Sequence, residues 1–111
     1  MKTTEELLKS EVKAQKKWIE DCVTGKGESD FDEVIDEVLG IEIVRSLRGE
    51  FRGFELTLCV GGPNIYLSHH IAQAQAYLKG YWGSTEFELP LNEETSDMIF
   101  EYMEELADSY A

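Results

Sequence analysis

The chain reads as an α+β domain: two N-terminal helices, an antiparallel meander of four to five strands, and one C-terminal helix, with the helices packed on the sheet. Three observations predict this. Apolar residues recur at helical spacing over residues 4–23 and 31–39, and again after residue 92. Between residues 41 and 89 the period drops to two, and glycine- or proline-bearing turns interrupt it. The stretch from Phe54 to Gly83 holds the cleanest alternating strand, both dense turn signals and the largest aromatic side chains, so the flanking helices are expected to pack onto it.

The first helix, residues 4–23, starts at a capping box of Thr3 and Glu6 and carries Leu8, Val12, Trp18, Ile19, Cys22 and Val23 on one stripe. It stops at Gly25-Lys26-Gly27, which lacks the preceding strand, upstream glycine and following Ser or Thr of a phosphate loop. Ser29 suits the cap of the second helix and Gly40 its end; Phe31, Val34, Ile35, Val38 and Leu39 form its apolar side. Ile41 and Ile43, with Leu47 as a further candidate, mark a first strand with an irregularity near Val44-Arg45. A glycine-bearing connection over residues 48–53 leads to a second strand with Phe54, Leu56, Leu58 and Val60 on one face. Gly61-Gly62-Pro63-Asn64 is a tight turn, and Ile65 and Leu67 point inward from a third strand. Residues 71–79 are read as a strand, with Ala76, Leu78 and Trp82 on one face; Trp82 is expected against the last helix. Thr85 to Leu89 adds a short edge strand closed by Pro90. Asn92 caps the last helix, whose buried stripe is Ile99, Tyr102, Met103, Leu106 and Tyr110.

At 111 residues the chain is one domain, 1–111, able to bury roughly two-thirds of its unfolded surface without disulfide or metal. Its start is polar, without the apolar core of a signal peptide, and no apolar run reaches the roughly 20 residues of a membrane span. Cys22 and Cys59 match no metal or redox spacing and are expected as free thiols in a cytoplasmic protein.

The formal charge of −13 argues against direct binding to nucleic acid or anionic membrane. It is unevenly placed. Residues 1–29 balance six lysines against six acids, and residues 41–83 carry four bases and three acids. Residues 30–40 hold five acids and residues 84–111 nine, with no base in either stretch. By helical spacing Asp32, Glu33, Asp36 and Glu37 lie on the solvent side of the second helix, and Asp97, Glu101, Glu104, Glu105 and Asp108 on that of the last. These nine are the candidate partner-binding residues.

No catalytic pattern competes with that layout. His69 and His70 are adjacent, so in a strand they point to opposite faces and do not share an ion easily; solvated turn residues are expected. Nothing in the sequence places Cys59 within reach of either histidine, and the carboxylates are too many to single out an acid–base pair. Gly61-Gly62-Pro63-Asn64 lacks the strand–glycine–helix setting of a dinucleotide loop. Tyr66, Tyr77, Tyr81 and Trp82 would need basic neighbours to stack on bases, and the charge is of the wrong sign. No cofactor is expected.

The stretch VGGPNIYL…LKGYWGS, followed by a capped acidic helix, resembles small uncharacterised proteins of bacteriophages and mobile elements, over Leu56 to Tyr110. The motifs behind the resemblance are structural: turn glycines and a packed Trp82. It implies a setting in which small acidic proteins inhibit host-defence nucleases, as anti-CRISPR and antirestriction proteins do by imitating the charge of DNA. The expectation is therefore a non-enzymatic acidic protein that binds a basic surface of a host nucleic-acid-binding protein. The alternative is an accessory or structural phage protein whose acidic face only keeps it dissolved. A third is a small hydrolase or metal-binding protein using His69 and His70.

Overall fold

The structure, a computed structural model, describes residues 3–25 and 30–110; the Ser29 cap and the Lys26-Gly27 part of the linker lie outside them. Helix α1 (Thr4–Thr24) starts where Thr3 Oγ1 accepts the Glu6 N–H at 3.2 Å, the hydroxyl half of the expected capping box. It ends at Gly25, whose φ of +73° lets its N–H bond back to Asp21 O. Helix α2 (Phe31–Glu37) follows, entered through Asp30 rather than a side-chain cap, and stops at Val38, two residues before Gly40. Strands β1 (Gly40–Arg45), β2 (Phe51–Cys59), β3 (Asn64–His70), β4 (Tyr77–Trp82) and β5 (Thr85–Pro90) form one antiparallel sheet in sequence order. Helix α3 (Glu93–Ser109) closes the chain, with Asn92 Oδ1 accepting from the Thr95 N–H at 2.7 Å.

The α+β meander is as expected, because each strand puts its apolar set on one face. Ile41, Leu56, Leu67, Leu78 and Leu89 stand opposite one another in a row across all five strands, and the middle three are fully buried. α1 and α3 both lie on that face. α1 seats at Gly80, where a Cβ would come within 2.6 Å of Val12 Cγ2 and 2.9 Å of Leu8 Cδ1. The missing side chain is what lets the helix approach the strand so closely. α3 crosses the other end of the sheet: Ser96 Oγ accepts the buried Ala76 N–H at 2.8 Å, Phe100 packs edge-on to Phe51 and His69, and Ala107 O accepts from Arg45 at 2.9 Å. Asn92 joins the two helices by donating to Glu20 Oε2 at 3.1 Å.

Several local expectations are corrected. Residues 71–76 form a connection rather than a strand, because their polar groups close on the histidines. Gln73 donates its N–H to His70 O at 2.8 Å and accepts the His70 N–H on its side chain at 3.1 Å. The inward stripe of β2 ends at Leu56, since a bulge between Thr57 and Cys59 breaks the alternation, leaving Leu58 half-buried and Val60 57% exposed. The irregularity expected near Val44-Arg45 is present. Trp82 lies at the opposite end of β4 from α3, half-buried beside Gly62, so it does not anchor that helix. Leu47 and Tyr110 are exposed, and Thr95, Ser96 and Ala107 take buried places on α3 instead. Both cysteines are free.

Candidate functional site

All nine acidic candidates are solvent-exposed: Asp32, Glu33, Asp36 and Glu37 on α2, and Asp97, Glu101, Glu104, Glu105 and Asp108 on α3. Each outward position follows from the opposite stripe being held in the core. Phe31 and Val34 bury α2, and Ile99, Met103 and Ala107 bury α3. Asp30, Glu93 and Glu94 add to the same sign. The ion pairs among the described residues, Lys9–Glu5 and Arg52–Glu50, engage none of the nine.

The structure brings the two helices together through a contact that one-dimensional spacing does not reveal. Phe31 and Tyr102 meet edge to face with ring centroids 4.9 Å apart, and the Tyr102 hydroxyl donates to Asp32 Oδ1. Burial pushes the Tyr102 phenol up to about 12, helped by that hydrogen bond and by the charges of Asp32, Asp30 and Asp36. On the other flank of α2, burial raises the Cys22 thiol, with Glu33, Asp21, Asp30 and Glu37 adding to the effect. Of the α2 carboxylates, Asp32 is the one that reaches α3 through a hydrogen bond. Cys22, Val23, Phe31, Ile99 and Tyr102 floor a cleft of about 290 Å³ at this junction, with Asp30 and Asp32 at its rim. A thiol held protonated among carboxylates is a poor nucleophile, so the cleft offers apolar contact and negative charge rather than covalent chemistry.

At the other flank of α3, Asp97 and Glu101 border a cleft of about 280 Å³ together with His69, Ile71, Gln73 and Phe100. Here the reading of two solvated turn histidines is half corrected. His70 is exposed, and its Nδ1 accepts the Ala72 N–H at 3.0 Å. His69 is 5% exposed, stacked edge-on against Phe100 and Phe54, and its Nε2 donates to Gln73 O at 3.1 Å. The register that turns His70 outward turns His69 into the core, as the opposite-face rule requires. What the sequence did not show is that α3 covers this end of the sheet. His69 Nδ1 has no hydrogen-bond partner. Among the described residues no group of three or more His, Cys, Asp or Glu side chains is placed to hold a metal ion.

Among the described residues no helix is long and apolar enough to cross a membrane. Comparison with protein-family models, with curated proteins and with solved structures found no match.

Proposed function

We propose that the protein is a non-enzymatic acidic ligand for the basic surface of a nucleic-acid-binding protein, in the manner of a DNA mimic. The observation that carries this reading is the charge density of α3. Seven acids and no base occupy its 17 residues. At ~1.5 Å rise per residue that is a length of about 25 Å, or about one negative charge every 3.6 Å, close to the ~3.4 Å per phosphate of a single DNA strand. α2, locked alongside through Phe31, Tyr102 and Asp32, widens the face with four more exposed carboxylates. A protein groove built to track a phosphate backbone would meet a comparable field. The setting implied by the GGP turn and GYWG strand end, a phage or mobile element acting against a host-defence nuclease of the CRISPR or restriction type, fits such a ligand.

The test is charge reversal on a face that folding does not use. Replacing Glu101, Glu104, Glu105 and Asp108 with Lys adds two units per site and takes the formal charge from −13 to −5. Wild-type protein on a resin is expected to retain nucleic-acid-binding proteins from a host lysate at low salt, to release them to duplex DNA, and to lose them at high salt. The folded quadruple variant is expected to retain none of them. Retention equal to wild type would show that the acidic face only keeps the protein dissolved. Reversal of Asp32, Glu33, Asp36 and Glu37 separates one extended surface from a single-helix epitope.

A further inference from the structure

The two edges of the sheet are finished differently. β5 carries Glu86, Glu88 and Pro90 along its open face, and α1 packs against it, with Lys9 Nζ 5.5 Å from the Phe87 ring centroid. Charge, proline and a covering helix are the usual means of keeping an edge from recruiting another strand. β1 has neither proline nor lysine and pairs only with β2, so one row of its backbone N–H and C=O groups stays unpaired. Of the nine exposed large hydrophobic side chains among the described residues, Leu39, Ile41, Val44, Leu47 and Tyr110 lie on or beside this strand. On its helix side runs a groove of about 410 Å³ floored by Ile41, Ile43, Leu106 and Ala107, with Arg45 and Tyr110 at its sides.

We propose that β1 is a self-association edge: two copies of the chain pair antiparallel through it about a twofold axis at Ile43, joining their sheets into one. The edge itself admits a second copy: residues 38–49 contain Glu42, Arg45 and Arg48, so it carries no excess acid although the chain as a whole carries −13. α3 lines the adjoining groove through Leu106 and Ala107, so its acidic end flanks the axis and repels its counterpart until salt screens it. The register is self-complementary as well. Opposite residues in an antiparallel pair share a face, so a twofold at Ile43 sets Glu42 against Val44 on the open face and Ile41 against Arg45 on the helix face. Slipping the pair until Glu42 meets Glu42 would oppose like charges across the strands, which holds the register at Ile43. A short strand pair alone falls below the ~800 Å² per partner of a stable complex. The two grooves lie on the same face of the joined sheet, beside the axis, and add apolar area to it.

Sedimentation velocity of the full chain tests this, over concentrations from about 5 to 200 μM at low and high salt. The mass is expected to rise from 12.7 kDa toward twice that value with concentration. High salt should favour the dimer, because it screens repulsion between two acidic chains. A complex with a basic partner responds to salt in the opposite sense, so this inference and the proposed function fail separately. The Ile41→Lys/Val44→Lys variant is expected to stay monomeric with an unchanged circular dichroism spectrum. Glu86→Lys/Glu88→Lys on the other edge should associate like wild type. Should the β1 variant unfold, amide exchange on wild type decides: protection of residues 41–45 that grows with concentration supports the pairing. A monomer under all conditions, a dimer that the two lysines leave intact, or concentration-independent protection of β1 overturns it.

Discussion

α1 and α3 are both amphipathic helices, of 21 and 17 residues, seated on the same face of one sheet, yet they treat solvent differently. α1 mixes signs on its outer side: Glu5 pairs with Lys9 at 3.0 Å, and Lys13, Lys16 and Lys17 are interspersed with Glu11, Glu20 and Asp21. The charges that α3 exposes are all carboxylates, although Asp97–Glu101, Glu101–Glu105 and Glu104–Asp108 are like-charge neighbours four residues apart. Both helices fully bury the middle of their stripes, Leu8, Val12 and Ile19 on α1 and Ile99 and Met103 on α3, so packing does not require a single-sign outer face. The like charges four residues apart work against the helix that carries them, which is the ground for proposing a partner.

That contrast holds only if the two helices are anchored alike. Leu8 on α1 and Met103 on α3 are both fully buried. Leu8→Ala and Met103→Ala should each lower unfolding free energy by about 2–5 kcal/mol in urea titrations. A loss under about 1 kcal/mol at either site would mark that helix as loosely held and break the comparison. The seat itself is sharper on α1. Gly80→Val drives new methyl groups against Val12 and Leu8, and overpacking of this kind costs about 1–3 kcal/mol. The same melts will show whether α1 can shift to relieve it.

These anchoring residues also separate what periodicity conveys from what it cannot. Leu8, Val12, Ile19, Ile99 and Met103 fall on helical stripes, and Ile65, Leu67 and Leu78 on strand alternation, so the core and the meander follow from spacing. Spacing along one element says nothing about which element lies across it. Nothing along β4 marks Gly80 as the seat of α1, and spacing pairs Trp82 with the wrong neighbour and leaves His69 solvated because the helix that covers it is distant in sequence. The outward direction of the acids was legible, since it is the complement of an apolar stripe. The joining of α2 to α3 was not, because it rests on Phe31, Tyr102 and Asp32 meeting across 70 positions.

That junction predicts a pH dependence confined to one helix pair. The Tyr102 phenol is raised from 10.0 to about 12, so folding favours its neutral form. The resulting stabilisation is fully present below pH 10 and is lost as pH rises through 12. Tyr102→Phe keeps the packing on Phe31 and removes both the hydrogen bond and the titration. Stability of the wild type relative to this variant is expected to be flat to pH 10 and then to fall, with a neutral-pH advantage of about 0.5–1.5 kcal/mol for the bond itself. Every other ionisable group is common to both proteins and cancels in the difference. A flat difference to pH 12 would separate α2 from α3 and reduce the acidic face to one helix.

The smallest expected effect is the most direct test of the contrast between the helices. Glu101→Lys replaces repulsions with Asp97 and Glu105 by attractions at the same spacing, each worth a few tenths of a kcal/mol, so the variant should be more stable than wild type by about 0.5–1 kcal/mol at low salt. Lys17→Glu on α1 does the reverse, exchanging attractions to Glu20 and Asp21 for repulsions while relieving only a repulsion with Lys13, and should be less stable by a similar but smaller amount. Both differences should shrink at high salt, where exposed charges are screened. Opposite signs would mean that α1 sits near its local electrostatic optimum while α3 sits away from it, a departure that folding alone gives no reason to keep. If Glu101→Lys is instead destabilising at low salt, the carboxylates of α3 serve the fold. The case for a basic partner would then rest on the binding measurements alone.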